Sequence, residues 1–74
     1  YEGHDLFVQK DYGISLVYQS DVLLEIFSLD GKRVFAARCS PQSQIDLTEF
    51  SGLFVLRISD LKSNETLYSD QISL

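Results

Sequence analysis

Seventy-four residues, 45% hydrophobic and 23% charged, describe one folded unit rather than a disordered chain. A domain this short buries only about 60% of its unfolded surface, so its core is modest and its stability marginal. The net charge of −5 comes with no basic stripe, which argues against nucleic-acid binding. No apolar run exceeds Leu53-Phe54-Val55-Leu56, which is far shorter than the roughly 20 residues of a membrane-spanning helix.

Alternation and turn residues predict seven short strands and almost no helix: Leu6 to Gln9, Gly13 to Gln19, Val22 to Leu29, Lys32 to Arg38, Gln44 to Leu47, Leu53 to Ser59 and Glu65 to Leu74. The separators are rich in Gly, Pro, Asp, Asn and Ser, which favour turns by accepting positive φ, fixing φ or bonding their own backbone. Asp30-Gly31 is the strongest of them and closes a hairpin. Every connection is too short for a parallel crossover, so an antiparallel β-sandwich is expected. Parity assigns to the core Ile14, Leu16 and Tyr18; Val22, Leu24 and Ile26; Val34 and Ala36; Ile45 and Leu47; and Phe54, Leu56 and Ile58. Val55 and Arg57 fall on the opposite face. In the last strand Ile72 and Leu74 share their face with Tyr68 and Asp70, the half-pattern of an edge strand.

Residues that could carry chemistry are few. His4 is the sole histidine and Cys39 the sole cysteine, so neither a multi-histidine metal site nor an internal disulfide can form. Arg38 beside Cys39 is a feature that lowers a thiol pKa, yet Cys39 reads better as a small apolar residue. The stretch Asp60 to Glu65 puts Lys62 where a calcium ligand belongs and lacks the bend glycine. Asn64-Glu65-Thr66 matches the short glycosylation pattern, which arises often by chance. Lys32, Arg33 and Arg38 offer an anion-binding cluster but read first as charges that guard a sheet edge against pairing. No catalytic residue, cofactor or metal site is indicated.

Three segments in order carry a family resemblance. They are Leu24 to Val34 with Leu-Asp-Gly-Lys-Arg-Val, Ile45-Asp46-Leu47 through Gly52-Leu53-Phe54-Val55-Leu56-Arg57-Ile58, and a short strand ending at Leu74. Together they make residues 13–74 resemble the C-terminal sorting domain of the Bacteroidetes type IX secretion system. The pattern residues are Asp30, Gly31, Gly52, Phe54, Leu56 and Ile58. The resemblance implies an immunoglobulin-like sandwich at the end of a larger protein, consistent with a chain that begins at Tyr1 rather than methionine.

It also implies passage of the attached protein through the periplasm. The outer-membrane translocation machinery, its shuttle and sortase-like components then deliver the protein to the cell surface. Recognition in that family concentrates in the last strand, which maps here to Gln71, Ile72, Ser73 and Leu74 with the terminal carboxylate. Their removal is expected to stop delivery while the sandwich still folds. The chain departs from the family in having Asp70-Gln71 and Leu74 where a basic residue is common, and Phe54 where tyrosine is commoner. The first departure raises the alternative that the domain is retained rather than cleaved. The main competing reading is a non-catalytic interaction or carbohydrate-binding module, for which Tyr1, Phe7, Tyr12, Phe27, Phe35 and Tyr68 are the aromatic candidates. A small hydrolase or redox protein using Cys39 with His4 ranks last.

Overall fold

Turn chemistry and alternation cut the chain where expected, to within a few residues. The computed structural model describes residues 6–74, so Tyr1 and His4 lie outside the described residues. Seven strands form: β1 (Phe7–Lys10), β2 (Gly13–Leu16), β3 (Val22–Phe27), β4 (Arg33–Cys39), β5 (Gln44–Asp46), β6 (Leu53–Asp60) and β7 (Thr66–Ser73). They build two antiparallel sheets in the orders β1-β2-β5 and β4-β3-β6-β7. The chain changes sheet after β2, after β4 and after β5, the connectivity of an immunoglobulin-like sandwich. β2 ends at Leu16 rather than Gln19 because Val17 to Asp21 carry the chain between sheets. Backbone bonds hold that crossing: Val17 N–H to the Leu6 carbonyl (2.8 Å) and Leu61 N–H to the Asp21 carbonyl (3.2 Å).

The core lies between the sheets. Leu6, Phe7, Ile14, Leu16, Ile45 and Leu47 come from the smaller layer. Val22, Leu24, Ile26, Cys39, Leu56, Ile58 and Ile72 come from the larger one. Tyr18, placed in the crossing rather than in β2, is half-buried and donates its hydroxyl to Asp60 Oδ2 at 2.9 Å. Phe35, Phe50 and Phe54 pack edge-to-face in a chain along the core margin, with centroids 5.9 and 5.6 Å apart. At Gly13 (φ +150°) a side chain would collide with the Ile45 carbonyl, so only glycine lets β2 approach β5 so closely.

One strand faces the opposite way from the parity assignment. Val34 and Ala36 are exposed, whereas Phe35, Ala37 and Cys39 turn inward. The cause is pairing with β3, which puts Phe35 opposite Ile26 and Ala37 opposite Leu24 through two irregularities that cancel. The Ser28 carbonyl accepts from Gly31 N–H (2.9 Å), and Ser28 N–H donates to the Lys32 carbonyl (2.8 Å). Gly31 has φ +91° while Asp30 stays at negative φ, so the loop is Leu29-Asp30-Gly31 rather than Asp-Gly alone.

That loop by itself would align Ile26 with Val34. Instead Phe27 opposes Arg33 and Ile26 opposes Phe35, leaving Val34 as an inserted bulge residue. A one-residue slip exchanges the two faces of a strand. Deleting Val34 should therefore remove the bulge and leave Phe35, Ala37 and Cys39 facing in. Stability should stay within about 1 kcal/mol of the parent in urea denaturation, as for other changes at exposed sites. Deleting Ala36 should instead turn Phe35 outward and lower the unfolding midpoint markedly.

Candidate recognition edge

β7 is an edge of the larger sheet, paired with β6 alone among the described strands. The Leu74 N–H donates to the Gly52 carbonyl at 2.8 Å. Antiparallel ladders alternate bonded and non-bonded pairs. Ile72, Asp70 and Tyr68 therefore direct their backbone groups at β6, while Ser69, Gln71 and Ser73 direct theirs outward. Two of these outward groups already have partners. Asp70 Oδ1 accepts from Gln71 N–H (2.8 Å), and Gln9 Nε2 donates to the Ser73 carbonyl (2.6 Å). The Ser69 N–H and carbonyl, the Gln71 carbonyl and the Ser73 N–H have no bond within the described residues.

The four residues expected to carry recognition thus divide. Gln71 and Ser73 are exposed along the edge, whereas Ile72 is 6% exposed and Leu74 packs against the core. Removing Gln71 to Leu74 takes a core side chain with it, at a cost of about 2–5 kcal/mol. The truncated sandwich is therefore expected to be less stable than the parent. Alternation in a half-patterned strand signalled Ile72, but nothing in the sequence signalled Gln9, which reaches β7 from the other sheet.

Asp30, Gly31, Gly52 and Phe54 of the pattern residues lie toward one end of the larger sheet, whereas Leu56 and Ile58 lie along its middle. Phe27, Val55 and Gln71 lie in one row across β3, β6 and β7. The hairpin tip with Asp30-Gly31, the turn at Gly52 (φ +108°) and the tail at Leu74 therefore share the same end. Asp30 is a turn cap: its Oδ1 accepts from the Ser28 hydroxyl and, at 3.4 Å, from Lys32 N–H. Phe54 is half-buried, and Leu56 and Ile58 are core. Beside this end, Lys10, Tyr12, Thr48, Phe50 and Leu74 line an open cleft of about 410 Å³.

Other candidates resolve into structural roles. Cys39 is buried, its thiol donates to the Ala37 carbonyl (3.7 Å), and desolvation raises its pKa. The expected lowering by Arg38 fails because successive side chains point to opposite faces. Asp60 caps its own loop, accepting from Lys62 N–H (2.8 Å) and Ser63 N–H (3.3 Å). No group of three His, Cys, Asp or Glu side chains among the described residues is placed to hold a metal ion. Phe7 stacks edge-to-face on Tyr68 at 5.1 Å in the interior, Phe35 turns inward and Phe27 lies on the outer face. The aromatic candidates therefore form no common platform among the described residues. No helix there is long and apolar enough to cross a membrane.

The outer face of the larger sheet holds one buried charge. Glu25 is 3% exposed although it points away from the core. Arg57 Nε and Nη2 donate to its Oε1 (2.9 and 2.7 Å), and Arg33 Nη1 donates to its Oε2 (3.0 Å). The Arg57 guanidinium also lies over the Phe27 ring, 5.5 Å from its centroid. Burial pushes the Glu25 carboxyl up, but the hydrogen bonds and charges of Arg57 and Arg33 outweigh it and hold it below its ordinary value of 4.5.

A carboxyl depressed in the folded state leaves the unfolded chain binding more protons in acid. Its stabilisation is complete above the unfolded value and is lost as pH falls through the folded one. Asp60, lowered first by the Lys62 N–H bond, and Asp46, lowered first by the Thr48 N–H bond, act in the same direction. Thermal melts of Glu25→Gln from pH 7 to pH 2 should show a shallower acid limb than the parent, with the remaining slope owed to these aspartates.

No family model, no curated protein and no solved structure matches this chain.

Proposed function

We propose that this chain is a non-enzymatic sorting domain of the type IX kind, read by the outer-membrane translocation machinery along β7. In this reading it directs an attached protein through the periplasm to the cell surface, and it is either retained or removed there by a sortase-like component. The observation that carries the reading is the edge itself. Ser69, Gln71 and Ser73 present outward backbone groups along β7, which runs to the end of the sheet where Asp30-Gly31, Gly52 and Leu74 meet. A receptor strand can pair with such an edge through its main chain, with alternate side chains supplying specificity. An aromatic carbohydrate platform has no comparable support.

The test separates edge from fold. Proline is tolerated on edge strands where the lost N–H faces solvent, so Ser69→Pro and Gln71→Pro leave the β6 ladder intact. A periplasmic reporter fused ahead of the chain in a type IX-competent bacterium should become accessible to external protease. Both proline variants should keep the cooperative melt of the parent and leave the reporter in the periplasm. Surface delivery of the variants at the parental level, or no delivery of the parent fusion, would refute the proposal.

A further inference from the structure

The three arginines of this acidic chain all lie on one surface. Arg57 is on the outer face of β6, Arg33 opposes Phe27 at the start of β4, and Arg38 opposes Leu23 two residues beyond Ala36. Among the described strand residues of that face the one acid, Glu25, is sealed beneath two of them. The exposed acids sit at turns, on other strands or on the opposite face. Asp21 lies beside Arg38 at the margin of this face, so among the described residues the face carries three arginines against two carboxylates, a net +1 in a chain whose total is −5. None of this is visible along the sequence, where Arg33 and Arg57 are far apart.

The guanidinium groups are held in place rather than free. Glu25 draws Arg33 and Arg57 flat against the sheet, and Phe27 supports Arg57 from below. Their side chains are nevertheless 57% and 44% exposed, and each has donors left over for a second carboxylate. Arg38 is exposed and makes no ion pair among the described residues. Around them lies apolar ground: Phe27 and Val55 half-buried, Val34 41% and Leu53 53% exposed. Arg38 and the exposed aliphatic groups take no part in holding Glu25.

We infer that this outer sheet face is a docking surface for a protein partner that presents alternating carboxylate and apolar side chains. Arginine and aromatic residues on partly apolar ground are the composition of protein interfaces. A phosphate-rich lipid or nucleic acid would instead be met by a solvated lysine patch. Restraint of the guanidiniums by Glu25 lowers the ordering cost of binding. The surface adjoins β7, where Arg57 and Val55 lie opposite Ser69 and Gln71, but it is read through side chains rather than by strand pairing, so this inference does not depend on the sorting proposal.

The full chain would be titrated with a fluorescein-labelled peptide of six Glu-Val repeats, and the contact mapped by amide chemical-shift changes. Saturable binding is expected, weakened by salt, with shifts on β3, β4 and β6. Arg38→Glu, which removes no partner of Glu25, should weaken it about fivefold or more, reversing one rim contact. Arg38→Lys should recover part of the loss. A Lys-Val peptide should not bind. Shifts confined to other surfaces, or affinity unchanged by Arg38→Glu, would overturn the inference. So would tighter binding to vesicles containing phosphatidylglycerol or to oligo(dT) than to the Glu-Val peptide.

Discussion

β3 and β6 run antiparallel through the middle of the larger sheet, from Val22 opposite Asp60 to Phe27 opposite Val55. Val22, Leu24, Ile26, Leu56 and Ile58 on the inner side of this pair have no exposed surface. Both edge strands are templated on it, β4 on β3 and β7 on β6. The smaller sheet closes over its inner face with Ile14, Leu16, Ile45 and Leu47. In so small a domain, burying one such side chain contributes roughly 1.5–3 kcal/mol against a slim total. Accurate pairing of two strands distant in sequence therefore governs the rest of the molecule.

The same pair governs the outer side. Glu25 and Arg57 are direct partners across β3 and β6, so the register that aligns the core also places a carboxylate under a guanidinium. Burying a charge is costly unless it is paired and hydrogen-bonded, and here both carboxylate oxygens are occupied. A slipped register would leave Glu25 uncompensated. The ion cluster thus opposes misalignment of the pair on which the fold depends, besides presenting its arginines to solvent.

The edges of the larger sheet are treated differently. β4 carries a bulge and two arginines, features that discourage pairing with another chain. β7 carries Ser69, Gln71 and Ser73 outward, with a bulge only at its start, opposite Ile58 and Ser59. Its far end is tied down by Gln9 from the other sheet and by the Leu74 bond to Gly52. The accessible part of β7 is therefore a short central run, held rigidly by its neighbours.

Seven strands, their order and their turns were legible in local chemistry: alternating apolar residues, Asp30-Gly31, Ser40-Pro41 and the Asp60 loop each act within a few residues. The inner faces of β2, β3, β5 and β6 followed from parity for the same reason. The facing of β4 was not legible in its own alternation, because Val34 and Ala36 are as apolar as Phe35 and Ala37 and only pairing with β3, which puts Phe35 opposite Ile26, decides between them. Nor was the Gln9 contact with Ser73, nor the gathering of Arg33, Arg38 and Arg57 around a sealed Glu25. Each joins residues from strands that the sequence keeps apart. Local propensity and periodicity determine where strands begin and which side of each is apolar. Which strands become neighbours, and in what register, is decided only when two sheets bury their apolar sides together.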